Sequence, residues 1–257
     1  MSILTMLAVI ITGLLFGSFF NVCIYRIPKN ESLVFPSSYC IHCNKSLVWY
    51  DLIPVISWIL LKAKCRYCNN RIPVRYPIIE TATAVVFLFL YFRFGFSGAF
   101  ITNVILCSLL IVISVIDMDC QIIPNELIVP GTIIGIILSL TGVSVHWTDA
   151  LFGLLIGGGT YFFIANISQW VLKKEGMGGG DIKLMAMIGL MVGWKLTILS
   201  ILLSIYLGGL IGGILLVLKI KKRDDTIPFG PIIALGTFIS IVFGKDLIAW
   251  YLHLFAY

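Results

Sequence analysis

Long runs of apolar residues recur along this chain, and the segments between them hold nearly all of its charge. The runs fall near Ile3–Cys23, Ile78–Gly95, Ala99–Ile116, Leu127–Val143, Ala150–Leu172, Ile182–Gly193, Leu196–Ile220 and Pro231–Phe243. A helix needs about 20 such residues to cross hydrocarbon. Backbone in lipid has no water to bond to, so each run predicts a helix that satisfies its own hydrogen bonds. The sixth run is short and the last is ragged, so counts of seven and nine stay open beside eight.

Composition agrees with that pattern. Of the 257 residues 60% are hydrophobic and only 12% are charged, and the mean hydropathy is +1.05. A soluble domain carries about twice that share of charge, which excludes the ordinary soluble classes. All but three of the 18 Lys and Arg lie in Ile24–Pro77, Lys173–Lys183 and Lys219–Arg223, the exceptions being Arg93, Lys195 and Lys245. The positive-inside rule places those three segments in the cytoplasm and both termini outside. The net charge of +6 is therefore a topology signal. No nucleic-acid partner is expected, because the charges flank spans and no basic motif with interleaved aromatics is present. The first run lacks a basic leader and a small-residue cleavage site, and reads as a retained helix.

Three domains follow: a first transmembrane helix (1–23), a cytoplasmic segment (24–77) and a membrane-embedded bundle (78–257). The cytoplasmic segment contains Cys40-Ile41-His42-Cys43 and Cys65-Arg66-Tyr67-Cys68, two CxxC pairs with 21 residues between them. Four thiolates at that spacing suit tetrahedral zinc, and a reducing compartment favours metal over disulfides. With all four positions used as ligands (Cys40, Cys43, Cys65, Cys68), the Zn2+ is expected to be structural. A redox pair is the rival, but it calls for one CxxC in a βαβ setting. His42 could replace a cysteine, although an exposed knuckle histidine is the simpler state. Pro54–Leu61, with Trp49 and Trp58, is expected to graze the membrane interface. Cys23, Cys107 and Cys120 have no paired spacing and read as packing residues. The fold class is thus all-α: a polytopic membrane bundle of about eight transmembrane helices with a small cytoplasmic zinc-knuckle insertion.

Carboxylates in or beside membrane spans are expensive and usually functional. Asp117 and Asp119 follow the run ending at Ile116, Asp181 closes Gly176-Met177-Gly178-Gly179-Gly180, and Glu80 and Glu126 open the second and fourth runs. The expected topology puts Asp117 and Asp181 at one depth on the cytoplasmic side, as a dyad requires. Two carboxyls within hydrogen-bond distance share a proton and can activate water against a carbonyl. Glycines beside Asp181 let a backbone approach closely. Asp181 as a plain helix N-cap, and Asp117 and Asp119 as interfacial charges, remain the bland alternatives. Spacing does not separate Asp117 from Asp119, though Asp117 lies nearer the apolar run.

Taken together these residues resemble the type IV prepilin leader peptidase/N-methyltransferase family, over nearly the whole chain. The matching segments include Gly17-Ser18-Phe19-Phe20-Asn21-Val22-Cys23-Ile24-Tyr25-Arg26-Ile27-Pro28, the paired CxxC motifs and Tyr76-Pro77-Ile78-Ile79-Glu80. They continue with Ile116-Asp117-Met118-Asp119, Ile123-Pro124-Asn125, the glycine-rich stretch through Asp181-Ile182-Lys183-Leu184, and Ile227-Pro228-Phe229-Gly230-Pro231. The resemblance implies catalytic aspartates at Asp117 and Asp181, prepilins or pseudopilins as substrates, and a multi-pass place in the bacterial inner membrane with the site facing the cytoplasm. It also implies methylation of the new N-terminus with S-adenosylmethionine, for which no glycine-rich cofactor fingerprint is visible. Asn125 departs from the pattern, which has Asp in many members. A peptidase without methyl transfer, a transporter using cytoplasmic-face carboxylates, and a zinc-stapled scaffold without chemistry are the rival readings. Gly208-x-x-x-Gly212 and Gly209-x-x-x-Gly213 suit close helix packing more readily than a substrate groove.

Overall fold

A computed structural model describes residues 3–143, 145–172, 178–220 and 227–255. Lys173, Lys174, Gly176 and Met177, and the basic residues Lys221, Lys222 and Arg223, lie outside the described residues. Among the described residues there are nine α-helices and no strand. They are α1 (Ile3–Arg26), α2 (Ile56–Leu60), α3 (Arg75–Phe94), α4 (Gly98–Cys120) and α5 (Asn125–Leu140), then α6 (Trp147–Leu172), α7 (Gly179–Val192), α8 (Trp194–Val217) and α9 (Gly230–Phe255). Six are long and apolar enough to cross a membrane: α1, α3, α4, α6, α8 and α9. The other two apolar runs form the 16-residue α5 and the 14-residue α7. The all-helical expectation holds, and six of the eight expected spans have full length.

The chain divides into two compact units, Met1–Gly95 and Phe96–Tyr257. In the first, α1 lies along α3. The approach is close because Gly13 and Gly17 face it: a Cβ at Gly13 would sit 2.5 Å from Ala84 Cα, and one at Gly17 2.6 Å from Glu80 Cα. Small residues on one helix face admit a neighbouring backbone where dispersion, more than hydrophobic transfer, drives helix association in lipid. Between α1 and α3 runs an irregular segment with the short α2 and two 3-10 turns, Ile27–Lys29 and Trp49–Leu52. Arg26 anchors its start. Its buried guanidinium donates to the carbonyls of Ser32 and Pro36, both at 2.8 Å.

In the second unit α7 is the central helix, with α4, α5, α6, α8 and α9 all packed against it. Leu184, Met185, Met187, Ile188 and Met191 are fully buried there. Its 14 residues rise only about 21 Å, short of a hydrocarbon core of about 30 Å. A helix wrapped by other helices does not need to match the bilayer. Gly193, at φ 78°, ends it and lets α8 begin at once. Gly153 of α6 and Gly189 of α7 face each other so closely that a Cβ on either would overlap the other's carbonyl group. Outward positions of α6 and α8 are apolar, as at Phe152, Phe163, Leu202 and Tyr206. A solvent of lipid chains accounts for such a surface.

α4 outruns the apolar stretch that predicts it. It continues through Asp117 and Asp119 to Cys120 and closes on Gln121 in the left-handed region, whose N–H donates to the Asp117 carbonyl at 2.9 Å. α9 likewise continues past Phe243 to Phe255.

Gly189→Val should prevent the α6–α7 approach and destabilise the protein by about 1–3 kcal/mol, the usual range for overpacking. Gly209→Ala, where a Cβ meets nothing within 4 Å, should leave the detergent-solubilised unfolding temperature within error of wild type. Equal unfolding temperatures for the two variants would contradict this packing.

Candidate active site

Asp117 lies in the last turn of α4 and its side chain is buried, with 6% of the residue exposed. A carboxylate withdrawn from water needs a fixed donor. The donor is the backbone N–H of Gly230, the first residue of α9, at 2.8 Å from Oδ2. A Cβ on Gly230 would itself stand 2.8 Å from that oxygen and force the carboxylate to shift. The amide is free to donate because the first N–H groups of a helix have no intrahelical partner. Asp119, two residues on, is exposed. Burial therefore separates the two acids that spacing leaves undecided.

Asp181 sits in the first turn of α7, is 9% exposed, and donates its backbone N–H to the Gly178 carbonyl at 3.1 Å. Asp117 acts on Asp181 electrostatically. The structure thus brings together two buried carboxylates from 64 positions apart in sequence. Around them stand Tyr161, which no motif included, and several residues of the quoted motifs. Tyr161 of α6 is fully buried, and both Ser204 and Asp181 act on its hydroxyl. Its ring lies 6.3 Å from that of Phe229, just before Gly230. Asn125 Oδ1 accepts from Lys183 Nζ at 3.1 Å, tying the start of α5 to the start of α7. Gly180 rests against Ile123. The segments around Ile123, Asp181 and Gly230 are one neighbourhood.

The four cysteines form the second constellation, within the first unit. The Sγ atoms of Cys40, Cys43, Cys65 and Cys68 all lie within 4.8 Å of one another, and those of Cys40 and Cys68 are 3.8 Å apart. Tetrahedral zinc with Zn–S of about 2.3 Å places its sulfurs about 3.8 Å apart, so the cluster fits the ion. The two knuckles repeat one geometry. Cys40 N–H donates to Lys45 O and Asn44 N–H to Cys40 O; Cys65 N–H donates to Asn70 O and Asn69 N–H to Cys65 O. Asn44 and Asn69 both adopt positive φ, 55° and 57°, a conformation Asn tolerates better than most residues. The C-x-x-C-N repeat was a signal for this pairing that spacing alone does not use. Burial opposes ionisation of Cys65. The N–H groups of Cys68 and Tyr67, with the Cys40 and Cys68 thiols, outweigh it and bring the thiol down to about 7. His42 is exposed on its knuckle and four sulfurs complete the set without it. Trp58, expected at the membrane interface, donates its indole N–H inward to the Ile72 carbonyl at 3.2 Å, while Trp49 is exposed.

Residues 11–94 match the sequence model of the bacterial peptidase A24 N-terminal domain, and residues 104–213 that of the type IV leader peptidase family. The chain is similar to three proteins named prepilin leader peptidase/N-methyltransferase. That of Pseudomonas aeruginosa is 34% identical over 96% of this chain and 93% of the relative, and that of Stutzerimonas stutzeri is 33% identical over the same shares. That of Bacillus subtilis is 32% identical over 95% of this chain and 96% of the relative. No solved structure matches. The boundary between the two family matches falls beside the boundary between the two compact units.

Purified protein should carry about one zinc per chain by elemental analysis, as expected of a closed four-sulfur site. Cys65→Ser should lower that content at least about tenfold and reduce protein accumulation, because metal binding and local folding are coupled. A full complement of zinc in that variant would contradict the assignment.

Proposed function

The chain belongs to the type IV leader peptidase family, and we propose that it cuts the leader from type IV prepilins or pseudopilins with Asp117 and Asp181 as the catalytic pair. The observation carrying this reading is the meeting of two buried carboxylates beside a helix N-terminus. Two carboxyls brought within hydrogen-bond reach would hold one proton between them, and their titration would belong to the pair. The ionised member takes a proton from water as the water oxygen bonds to the scissile carbonyl carbon. The protonated member gives its proton to the carbonyl oxygen, so negative charge does not build up in a poorly solvated site. Collapse of the tetrahedral species breaks the C–N bond: the departing amine takes up the proton held by the first carboxylate, and a hydroxyl of the tetrahedral carbon gives its proton to the second as the C=O bond re-forms. Both acids return to their starting state.

Gly230 gives Asp117 a fixed orientation without a mobile side chain, and preorganised dipoles need no rearrangement during reaction. Tyr161 and Phe229 wall the pair on one side and limit water. A prepilin offers an apolar helix preceded by a short basic leader. Packing of that helix in lipid would bring the bond after the leader to the membrane edge on the cytoplasmic side, in keeping with the charge distribution. The exposed amine would then be methylated, with S-adenosylmethionine supplying an electrophilic methyl carbon bonded to a sulfonium. Zinc on Cys40, Cys43, Cys65 and Cys68 would hold the irregular segment and take no part in hydrolysis.

Prepilin co-expressed with Asp117→Asn or Asp181→Asn should stay uncut, with cleavage at least about a thousandfold slower, and zinc content should match wild type. Gly230→Ala should also slow cleavage, by displacing the Asp117 carboxylate, with accumulation of the enzyme preserved. Mass spectrometry of the pilin N-terminus reads both. Normal processing by either Asp→Asn variant would remove the dyad.

A further inference from the structure

α6 and α7 run antiparallel in a register that their close contacts fix. A Cβ on Gly153 would overlap the Gly189 carbonyl, and one on Gly157 would overlap the carbonyl of Met185. Each step of four along α6 thus meets a step of four back along α7, and the next pair in that register is Tyr161 and Asp181. The charge of Asp181 accordingly acts on the Tyr161 hydroxyl. The Phe229 ring stands 6.3 Å from the tyrosine ring, and Phe229 precedes the Gly230 amide that holds Asp117. Tyr161 therefore neighbours the supports of both acids.

Packing does not explain its hydroxyl. Tyr161 is fully buried, and a phenylalanine would fill nearly the same volume. A phenol withdrawn from water costs stability unless its O–H is bonded. Its side-chain partner is Ser204 of α8, which is also fully buried. Ser204 Oγ already gives its proton to the Ser200 carbonyl at 2.6 Å, so toward Tyr161 it can only accept. At rest the phenol proton therefore goes to Ser204, and the lone pairs of the phenol oxygen are left to Asp181. Such an oxygen suits a protonated carboxyl and opposes an ionised one. Rotation about the phenol C–O bond reverses this, turning the O–H toward Asp181 as a donor.

We propose that Tyr161 is the positioning residue of Asp181, its hydroxyl resting on Ser204 while Asp181 holds the pair's proton and turning to the carboxylate once that proton has passed to the scissile carbonyl oxygen. No bond to hydrogen forms or breaks at the phenol; only its O–H rotates. A hydrogen bond to a carboxylate is stronger than one to a hydroxyl, so the stabilisation arrives as the tetrahedral species forms and acts on kcat. Asp181 keeps the Gly178 amide beside it throughout, and the phenol adds a second donor at the stage when charge appears. The inference rests on the carboxylate pair proposed above and names Asp181 as its proton-giving member.

The test measures prepilin cleavage by the full chain in lipid nanodiscs over a range of substrate concentrations. Tyr161→Phe should lower kcat about ten- to a hundredfold, with KM and unfolding temperature close to wild type. Ser204→Ala should lower kcat less, and in the Tyr161→Phe background it should lower kcat no further, because both changes act through one hydroxyl. Para-aminophenylalanine installed at position 161 keeps a donor on the ring and should recover most of the lost rate. If Tyr161→Phe does not accumulate, the amine variant carries the test by itself, a rate near wild type being the expected result. Wild-type kcat in Tyr161→Phe, or a loss that the amine does not restore, would overturn the positioning role and leave the pair standing. Normal cleavage by Asp181→Asn would instead remove the pair, and this inference with it.

Discussion

The hydrogen bond from Gly230 N–H to Asp117 Oδ2 joins residues 113 positions apart, inside a bundle with little water to substitute for it. A carboxylate in such surroundings is costly unless a donor is already in place. The start of a helix has amides to give, and a glycine there lets one of them reach the oxygen. The bond therefore fixes where α9 begins relative to the end of α4, and α9 packs along both α4 and α8. Asp181 is set by a different constraint. It opens α7, whose position follows from the glycine contact with α6. Two independent packing decisions thus set the positions of the two acids.

The first unit solves another problem. The chain from 27 to 74 has a five-residue helix, two 3-10 turns and two isolated bridges for regular structure. So little repeating hydrogen bonding does not hold a chain segment of this size by itself, and small units of this sort use a metal or disulfides as staples. Four sulfurs supply the staple. Arg26 and Glu80 brace the ends of the segment from within α1 and α3, each by bonding to backbone groups: Arg26 to the carbonyls of Ser32 and Pro36, Glu80 to the amide of Val55. Val55 is β-branched with φ 62°, a conformation that needs such outside support. The acid and base that look like functional charges at the helix ends are thus committed to backbone geometry.

These two arrangements assign different physical work to the polar residues of an apolar chain. In the second unit the two buried acids are each answered by little beyond a backbone amide. In the first unit most polar groups are answered by backbone, and Asn21 and Asp51 keep one acceptor each without a partner.

Hydropathy by itself determined that the chain is an all-helical membrane bundle, because hydrocarbon permits few other uses for runs of this length. Doubled CxxC spacing determined the sulfur cluster, since two tight knuckles have few ways to close on one ion. Local pattern also put acids at the ends of α4 and α7. It did not decide between Asp117 and Asp119, because burial depends on which helix face meets a neighbour, and that was set by contacts with distant parts of the chain. Nor could it show that α4 continues four residues past its apolar run, that Tyr161 lies beside Asp181, or that the Gly230 amide serves Asp117. Those facts come from helices packing across more than a hundred residues, where a periodic pattern fixes the face of each helix and leaves its partner open.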